Sequence, residues 1–360
     1  GVVRMAKKVE RLIMGADIGN YSTEIKGDDF LHTQITSIAY SPTVFEKTDE
    51  DRGKAIKKLM SNLKVHVKSE DNNLNTYYYA GDASISSGAE IDVMNIKNGT
   101  KSDHKIPLVM LLAMIAGNQV QRAFEKEPTE FSKDDCKDLE VEISLTTAIP
   151  ASEFTTQKAA HLENRILGTH HVTVYFADTS CLVKVNFKYV KVTEEGKTAM
   201  LHISTLKDEP DAFKEYEEKY QEPLVLTDET RSLHFDIGNG TIEATYMKGL
   251  TPINSDGRRA GVGVAIEKAV KAYNKEMGME INRQVFVEIL MSSTPAAKVA
   301  KQCLHDPLME QVLKIMEFVD DAFKELTNGM VDYIFVHGGG AIILRQWILD
   351  LMYEYAHSKH

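Results

Sequence analysis

Two copies of one tetrapeptide carry the chemistry this sequence could do. Asp17-Ile18-Gly19-Asn20 stands near the start, and Asp236-Ile237-Gly238-Asn239 stands about two-thirds of the way along the 360 residues. A carboxylate at the end of a strand can hold Mg2+ through water. A glycine just beyond it frees the backbone to turn its N–H groups on to phosphate oxygens. Small hydroxyl residues follow each copy: Ser22 and Thr23 after the first, Thr241 after the second. One such tip alone reads first as an ordinary hairpin turn. Two near-identical tips predict two duplicated domains facing one ligand. A third candidate is His337-Gly338-Gly339-Gly340-Ala341, three glycines between an apolar run and a helix. They admit a flat or charged ligand close to the backbone, where a helix N-terminus favours anions.

The elements that must position these residues are legible around them. Residues 12–16 and 233–235 read as buried strands leading into the two tips, and residues 22–26 and 241–246 as the returning strands. A third strand is expected near 33–39. Residues 55–63 suit a short helix. Residues 65–68 alternate like an edge strand, 72–75 like a turn, and 76–80 like a strand whose Tyr77–Tyr79 run suits aromatic packing. The block 41–95 lacks strong helices and reads as a small insertion. Residues 105–124 are apolar on nearly every face, which predicts a buried helix. Residues 139–149 alternate and stop at Pro150. Ser152-x-x-Thr155 suits the start of a helix ended by Gly168. Residues 172–176 and 182–192 read as a hairpin, after which come Glu194 and Glu195. A carboxylate there can orient a water, or can simply open a helix, where anions suit the dipole. Residues 205–222 are dense in charge and read as a solvated helix or loop. Asp256-Gly257-Arg258-Arg259 reads as a polar loop, and Gly261-x-Gly263 leads into a helix without forming the dinucleotide fingerprint. Helices fill 280–328. A strand at 333–336 and a helix from Ile342 flank the three glycines.

Composition sets outer bounds. The length allows roughly two domains. Hydrophobic residues make up 43% and charged residues 26%, ordinary globular values. The net charge of −11 argues against a generally basic nucleic-acid surface. No apolar run approaches the roughly 20 residues that span a bilayer, and no signal peptide is visible. Cys136, Cys181 and Cys303 form neither a disulfide framework nor a metal spacing, which suits a reducing cytoplasm. His170 and His171, adjacent on one strand, point to opposite faces and make a poor metal pair.

The two Asp-Ile-Gly-Asn loops and Gly338-Gly339-Gly340, in that order, resemble the actin, sugar-kinase and heat-shock-chaperone ATPase superfamily over about residues 12–350. Within it the chain looks most like the bacterial plasmid-segregating actins, the ParM-like group. The total size, the strand ending at Pro150-Ala151-Ser152-Glu153-Phe154, the strand Phe187-Lys188-Tyr189-Val190-Lys191-Val192, and Gly261-Val262-Gly263-Val264 are similar to that group. The resemblance implies an α/β fold of the actin-like (ribonuclease-H-like) two-domain type with the nucleotide in the interdomain cleft. Domain I would span 1–195, carry the insertion at about 41–95 and be completed by a C-terminal helix at about 343–360. Domain II would span 196–342.

The same resemblance implies ATP, with GTP as an alternative, together with Mg2+. Asp17 and Asp236 would hold the metal. Glu195 would orient the attacking water, with Glu194 as its alternative, although a proline common beside this glutamate is absent. Gly19, Asn20, Tyr21, Ser22 and Lys26 would contact nucleotide from the first domain, Lys26 standing slightly further from Asp17 than in many actins. Gly238, Asn239, Gly240, Thr241, Gly261, Gly263, Glu267, Gly338, Gly339 and Gly340 would do so from the second. The chain also stops at His360, sooner than many such proteins. The implied function is nucleotide-dependent, head-to-tail filament assembly by a cytoplasmic bacterial protein, serving plasmid segregation through a DNA-bound adaptor, without direct nucleic-acid or membrane binding. A sugar-kinase-type phosphotransferase, or a filament serving cell shape, division or a phage, stands as the alternative.

Overall fold

The computed structural model describes residues 9–94, 100–132, 136–151, 153–206, 213–221, 223–281 and 283–359. The chain divides into two compact units, residues 1–149 with 153–193, and residues 150–152 with 194–360. The expected domain boundary at 195/196 falls two residues beyond this division.

The first unit begins with β1 (Glu10–Ile18), β2 (Ser22–Lys26), β3 (Leu31–Ile35) and β4 (Ser37–Ser41). Helix α1 (Arg52–Lys57) and a 3-10 turn at Leu59–Asn62 replace the single helix expected over 55–63. Then come β5 (Leu63–Ser69), β6 (Leu74–Ala80), α2 (Asp82–Ser86), β7 (Ile91–Val93) and α3 (Lys105–Lys126). Next are β8 (Leu139–Ile149), α4 (Thr156–Ile166), β9 (Gly168–Phe176) and β10 (Thr179–Glu194). Thr155 caps α4, its side chain accepting from the Lys158 N–H; Ser152 lies outside the described residues.

These strands form one ten-stranded sheet in the order β3-β2-β1-β8-β10-β9-β5-β6-β4-β7. The strands of the block 41–95, expected as a small insertion, extend this sheet, and β5, expected at an edge, lies between β9 and β6. The cause is burial. Leu63, Val65 and Val67 of β5 are buried with Val172 and Val174 of β9 and Val183 and Val185 of β10, so the two blocks share one core. Helix α3 lies in that core, with an unbroken run from Ile106 to Val120 buried, as its apolar residues on every face require.

The second unit contains α5 (Lys197–Leu206), α6 (Lys214–Tyr220), β11 (Arg231–Ile237), β12 (Ile242–Lys248) and β13 (Thr251–Arg258). They are followed by α7 (Gly263–Met277), α8 (Arg283–Met291), α9 (Pro295–Thr327), β14 (Tyr333–His337) and α10 (Gly339–His357). The four strands are ordered β13-β12-β11-β14, with β14 parallel to β11. The stretch ending at Arg258, expected as a loop, is thus an edge strand on β12. Its polar composition reflects its exposed position. Leu233, Phe235 and Ile237 of β11 are buried with Phe318 and Val319 of α9. The C-terminal helix, expected to complete the first domain, buries Leu344, Ile348 and Met352 in this second core. Among the described residues, no helix is long and apolar enough to cross a membrane.

Candidate functional site

The first tip joins β1 to β2. The strands pair antiparallel, Asp17 opposite Glu24 and Gly15 opposite Lys26. The Gly19 N–H donates to the Ser22 carbonyl at 2.8 Å and closes the turn. Tyr21 is tethered through its carbonyl, which accepts from the Thr36 N–H at 2.8 Å. Behind the tip, Thr23 and Thr36 share a buried hydroxyl contact of 2.9 Å. Met14, Ala16, Ile18, Thr23 and Ile25 alternate into the core, which leaves Asp17, Glu24 and Lys26 on the outward face of the same ribbon. Asp17 and Lys26 are therefore brought to one face, and Gly19, Asn20, Tyr21 and Ser22 form the tip beside them.

The second tip joins β11 to β12 with the same closure, Gly238 N–H to the Thr241 carbonyl at 2.9 Å. Here the carbonyls of the turn are taken up by the segment leading into α7. The N–H groups of Gly261, Val262 and Gly263 donate to the carbonyls of Gly240 (3.3 Å), Gly238 (3.1 Å) and Asn239 (2.7 Å). A Cβ at Gly261 would stand 2.5 Å from the Asn239 backbone, and one at Gly263 would stand 2.6 Å from the Asn239 side-chain oxygen. From the other side, Gly338, held at φ +94°, and Gly340 each face the Ile237 carbonyl so closely that a Cβ would stand 2.6 Å away. Gly339 alone of the three has open space around its Cβ position. The glycines expected to admit a ligand are thus divided in use. Gly338 and Gly340 let α10 begin against the hairpin, and Gly339 leaves the first turn of α10 uncovered. The helix starts at Gly339, three residues earlier than expected. Glu267, one turn into α7, pairs with Arg283 at 3.5 Å.

Strand register adds residues that the sequence motifs do not single out. Asp236 lies opposite Glu243 on β12 and His337 on β14. Since Leu233, Phe235 and Ile237 fill the core, Asp236, Glu243 and His337 form a row across three strands on the opposite face. His337 Nδ1 is 3.7 Å from Asp236 Oδ2. Its Nε2 is buried with no hydrogen-bond partner among the described residues. Burial pushes the imidazole pKa down to about 4, opposed by the nearby Glu195 carboxylate. One rung back, His234 stacks on Phe335 with centroids 4.9 Å apart and shares a 3.0 Å contact with the Ser232 hydroxyl; burial takes its pKa to about 3.

The turn after β10 reaches this polar face. Gly196, at φ +83°, sits against Thr245 of β12, where a Cβ would stand 2.6 Å from the hydroxyl. The two glutamates separate here. Glu194 is half-buried, and its carboxyl is pushed up by desolvation against an opposing hydrogen bond with Ser255. Glu195 lies close enough to act on His337, the neighbour of Asp236. Glu195, Asp236, Glu243, His337 and the second tip therefore share one face of one unit.

The chemistry of this donor set suits a hydrated dication. Asp236 keeps 28% of its side-chain surface exposed beside the tip, and His337 Nδ1, 3.7 Å from its Oδ2, could share a hydrating water with it. Among the described residues, no three His, Cys, Asp or Glu side chains converge to hold a metal directly.

Residues 15–197 match the family model described as the N-terminal domain of actin-like proteins, and the chain belongs to that family. Sequence comparison with curated proteins gives no match. The solved structure of the actin-like protein Alp7A is similar over 96% of this chain and 88% of its own, with 15% identity and a TM-score of 0.65. The archaeal actin homologue Ta0583 in complex with ADP is similar over 93% and 89%, with 14% identity and a TM-score of 0.61. ParM of Bacillus thuringiensis with ATP is similar over 95% and 91%, with 15% identity and a TM-score of 0.60. At these identities the likeness establishes the two-domain actin-like fold.

Proposed function

We propose that the protein is an ATP-hydrolysing actin that assembles into filaments for plasmid segregation. The observation that carries this reading is the second tip, a turn locked by glycines on both sides, with Asp236 beside it and the N-terminus of α10 against it. The ADP complex of Ta0583 and the ATP complex of ParM support it. In this reading Gly19, Asn20, Tyr21, Ser22 and Lys26, and Gly238, Asn239, Gly240 and Thr241, hold phosphate oxygens. Gly261, Gly263 and the Gly338–Gly340 turn bear on the rest of the nucleotide, and Glu267 stands nearby on α7. Asp17 and Asp236 would hold Mg2+. The bound Mg2+ would neutralise charge developing on the transferred phosphate. Glu195 orients the attacking water, while Glu194 is held to β13. The residues act by positioning and electrostatics, with little covalent chemistry of their own. Assembly is head-to-tail and open-ended, and the DNA cargo is reached through an adaptor, as the acidic charge suits.

ATP with Mg2+ is expected to give polymers that scatter light and pellet. Their absence over a wide protein concentration range would sink the filament reading, and phosphate release requiring an added sugar would favour a kinase. Glu195→Ala is expected to leave assembly intact and slow phosphate release about 100-fold, a size usual for a positioned acid–base group. Glu194→Gln is expected to change it little. The reverse ranking in a phosphate-release assay would exchange the two roles.

A further inference from the structure

The His337 imidazole has no part in packing that explains its polar atoms. Neither nitrogen reaches a protein partner at hydrogen-bond distance among the described residues: Nδ1 is 3.7 Å from Asp236 Oδ2, and Nε2 is buried and unpartnered. A buried polar atom without a partner costs on the order of 1–3 kcal/mol. His234, one rung back on the same face, also has a buried nitrogen, Nδ1, without a partner among the described residues, but its other nitrogen is bonded. It is 1% exposed, stacks on Phe335, and bonds Ser232 through Nε2. The two rings lie 5.9 Å apart, centroid to centroid. What sets His337 apart is its place. It is the cross-strand neighbour of Asp236, it immediately precedes Gly338 at the start of α10, and Glu195 acts on it electrostatically. A donor or acceptor fixed there meets whatever hydrates the Asp236 carboxylate.

We propose that His337 is a positioning residue for the metal: it orients the Asp236 carboxylate and bonds a water hydrating the Mg2+ held there. The inference rests on the nucleotide-binding reading above. A group one bond removed from a metal ligand typically changes metal affinity 10–100-fold when lost. His337→Ala is expected to weaken the Mg2+-dependent part of binding by about tenfold, leaving binding in EDTA unaltered. His337→Gln, which keeps a side-chain donor and acceptor, is expected to recover part of the loss.

The experiment titrates Mg2+ into the full-length protein with a fluorescent, non-hydrolysable ATP analogue, using wild type, His337→Ala and His337→Gln. Thermal unfolding verifies that each variant is folded. In parallel, long-range 1H–15N spectra of labelled wild type follow the imidazole nitrogens, with His337 assigned by its loss in His337→Gln. The His337 Nδ1 signal is expected to move with Mg2+ and nucleotide together, and not with nucleotide in EDTA. Wild-type Mg2+ dependence in a folded His337→Ala variant, or an Nδ1 signal that Mg2+ leaves unmoved, would overturn the proposal. The spectra decide if the alanine variant fails to fold. Wild type that binds no nucleotide under any condition would instead sink the parent reading.

Discussion

The two tips share four residues and the same closing hydrogen bond, and they differ in what surrounds them. The first is tethered at Tyr21 and backed by a pair of threonines, with its aspartate fully on the outward face. The second is packed from both sides, its three turn carbonyls taken by the Gly261–Gly263 segment and its flank filled by Gly338 and Gly340. The same sequence thus serves as a lightly held loop in one unit and as part of the packed interior in the other. A glycine's importance is set by its neighbours more than by its motif.

That contrast can be broken most sharply at the glycines. Gly338→Ala would place a methyl on the Asp236 carboxylate and the Ile237 carbonyl at a backbone angle that favours glycine. Its cost to the second unit is expected to be about 3 kcal/mol or more. Gly19→Ala meets only the Ser22 carbonyl, at 2.9 Å, and is expected to cost the first unit about 1–2 kcal/mol. Gly339→Ala, in open space at the start of a helix, is expected to be neutral or to gain up to about 1 kcal/mol. Urea unfolding of the three variants gives the ranking; equal losses at 338 and 339 would remove the packing account.

A smaller effect compares buried imidazoles. His170 in the first unit is 1% exposed, lies between the Ser69 hydroxyl and the Ile166 carbonyl at 2.8 Å each, and has its pKa lowered chiefly by desolvation. The folded state keeps it neutral, while the unfolded chain takes up a proton near pH 6.5. Its contribution to stability is therefore present above that pH and lost as pH falls below it, at up to about 1.4 kcal/mol per pH unit. His170→Gln is expected to flatten the acid limb of stability for the first unit alone. An unchanged slope in denaturant titrations between pH 7 and 5 would show that His170 does not govern it.

The sequence carried the tips, the strands around them, the buried helix α3 and the family, because these depend on local pattern. It did not carry what depends on pairing between distant segments. Residues 63–69 alternate in the same way at an edge or in the interior, so only burial against β9 places β5 within the sheet. Asp256-Gly257-Arg258-Arg259 reads as a loop, although β13 runs to Arg258, because an exposed edge strand needs few apolar residues. The row of Glu243, Asp236 and His337 required the register of three strands. Alternation of Ser232, His234 and Asp236, and of Tyr333, Phe335 and His337, was a usable signal for each strand's face, though not for which residues stand side by side. The C-terminal helix has apolar residues enough for either core, and its periodicity names neither.

The merging of β5, β6, β4 and β7 into the sheet that carries the first tip has a mechanical meaning. Backbone ladders run without a break from β3 to β7. A load applied at the β7 edge passes from strand to strand through rows of hydrogen bonds, with no flexible linker to absorb it. The first unit should therefore bear force as a single plate, its outer strands yielding by loss of whole ladders and not by swinging on a hinge.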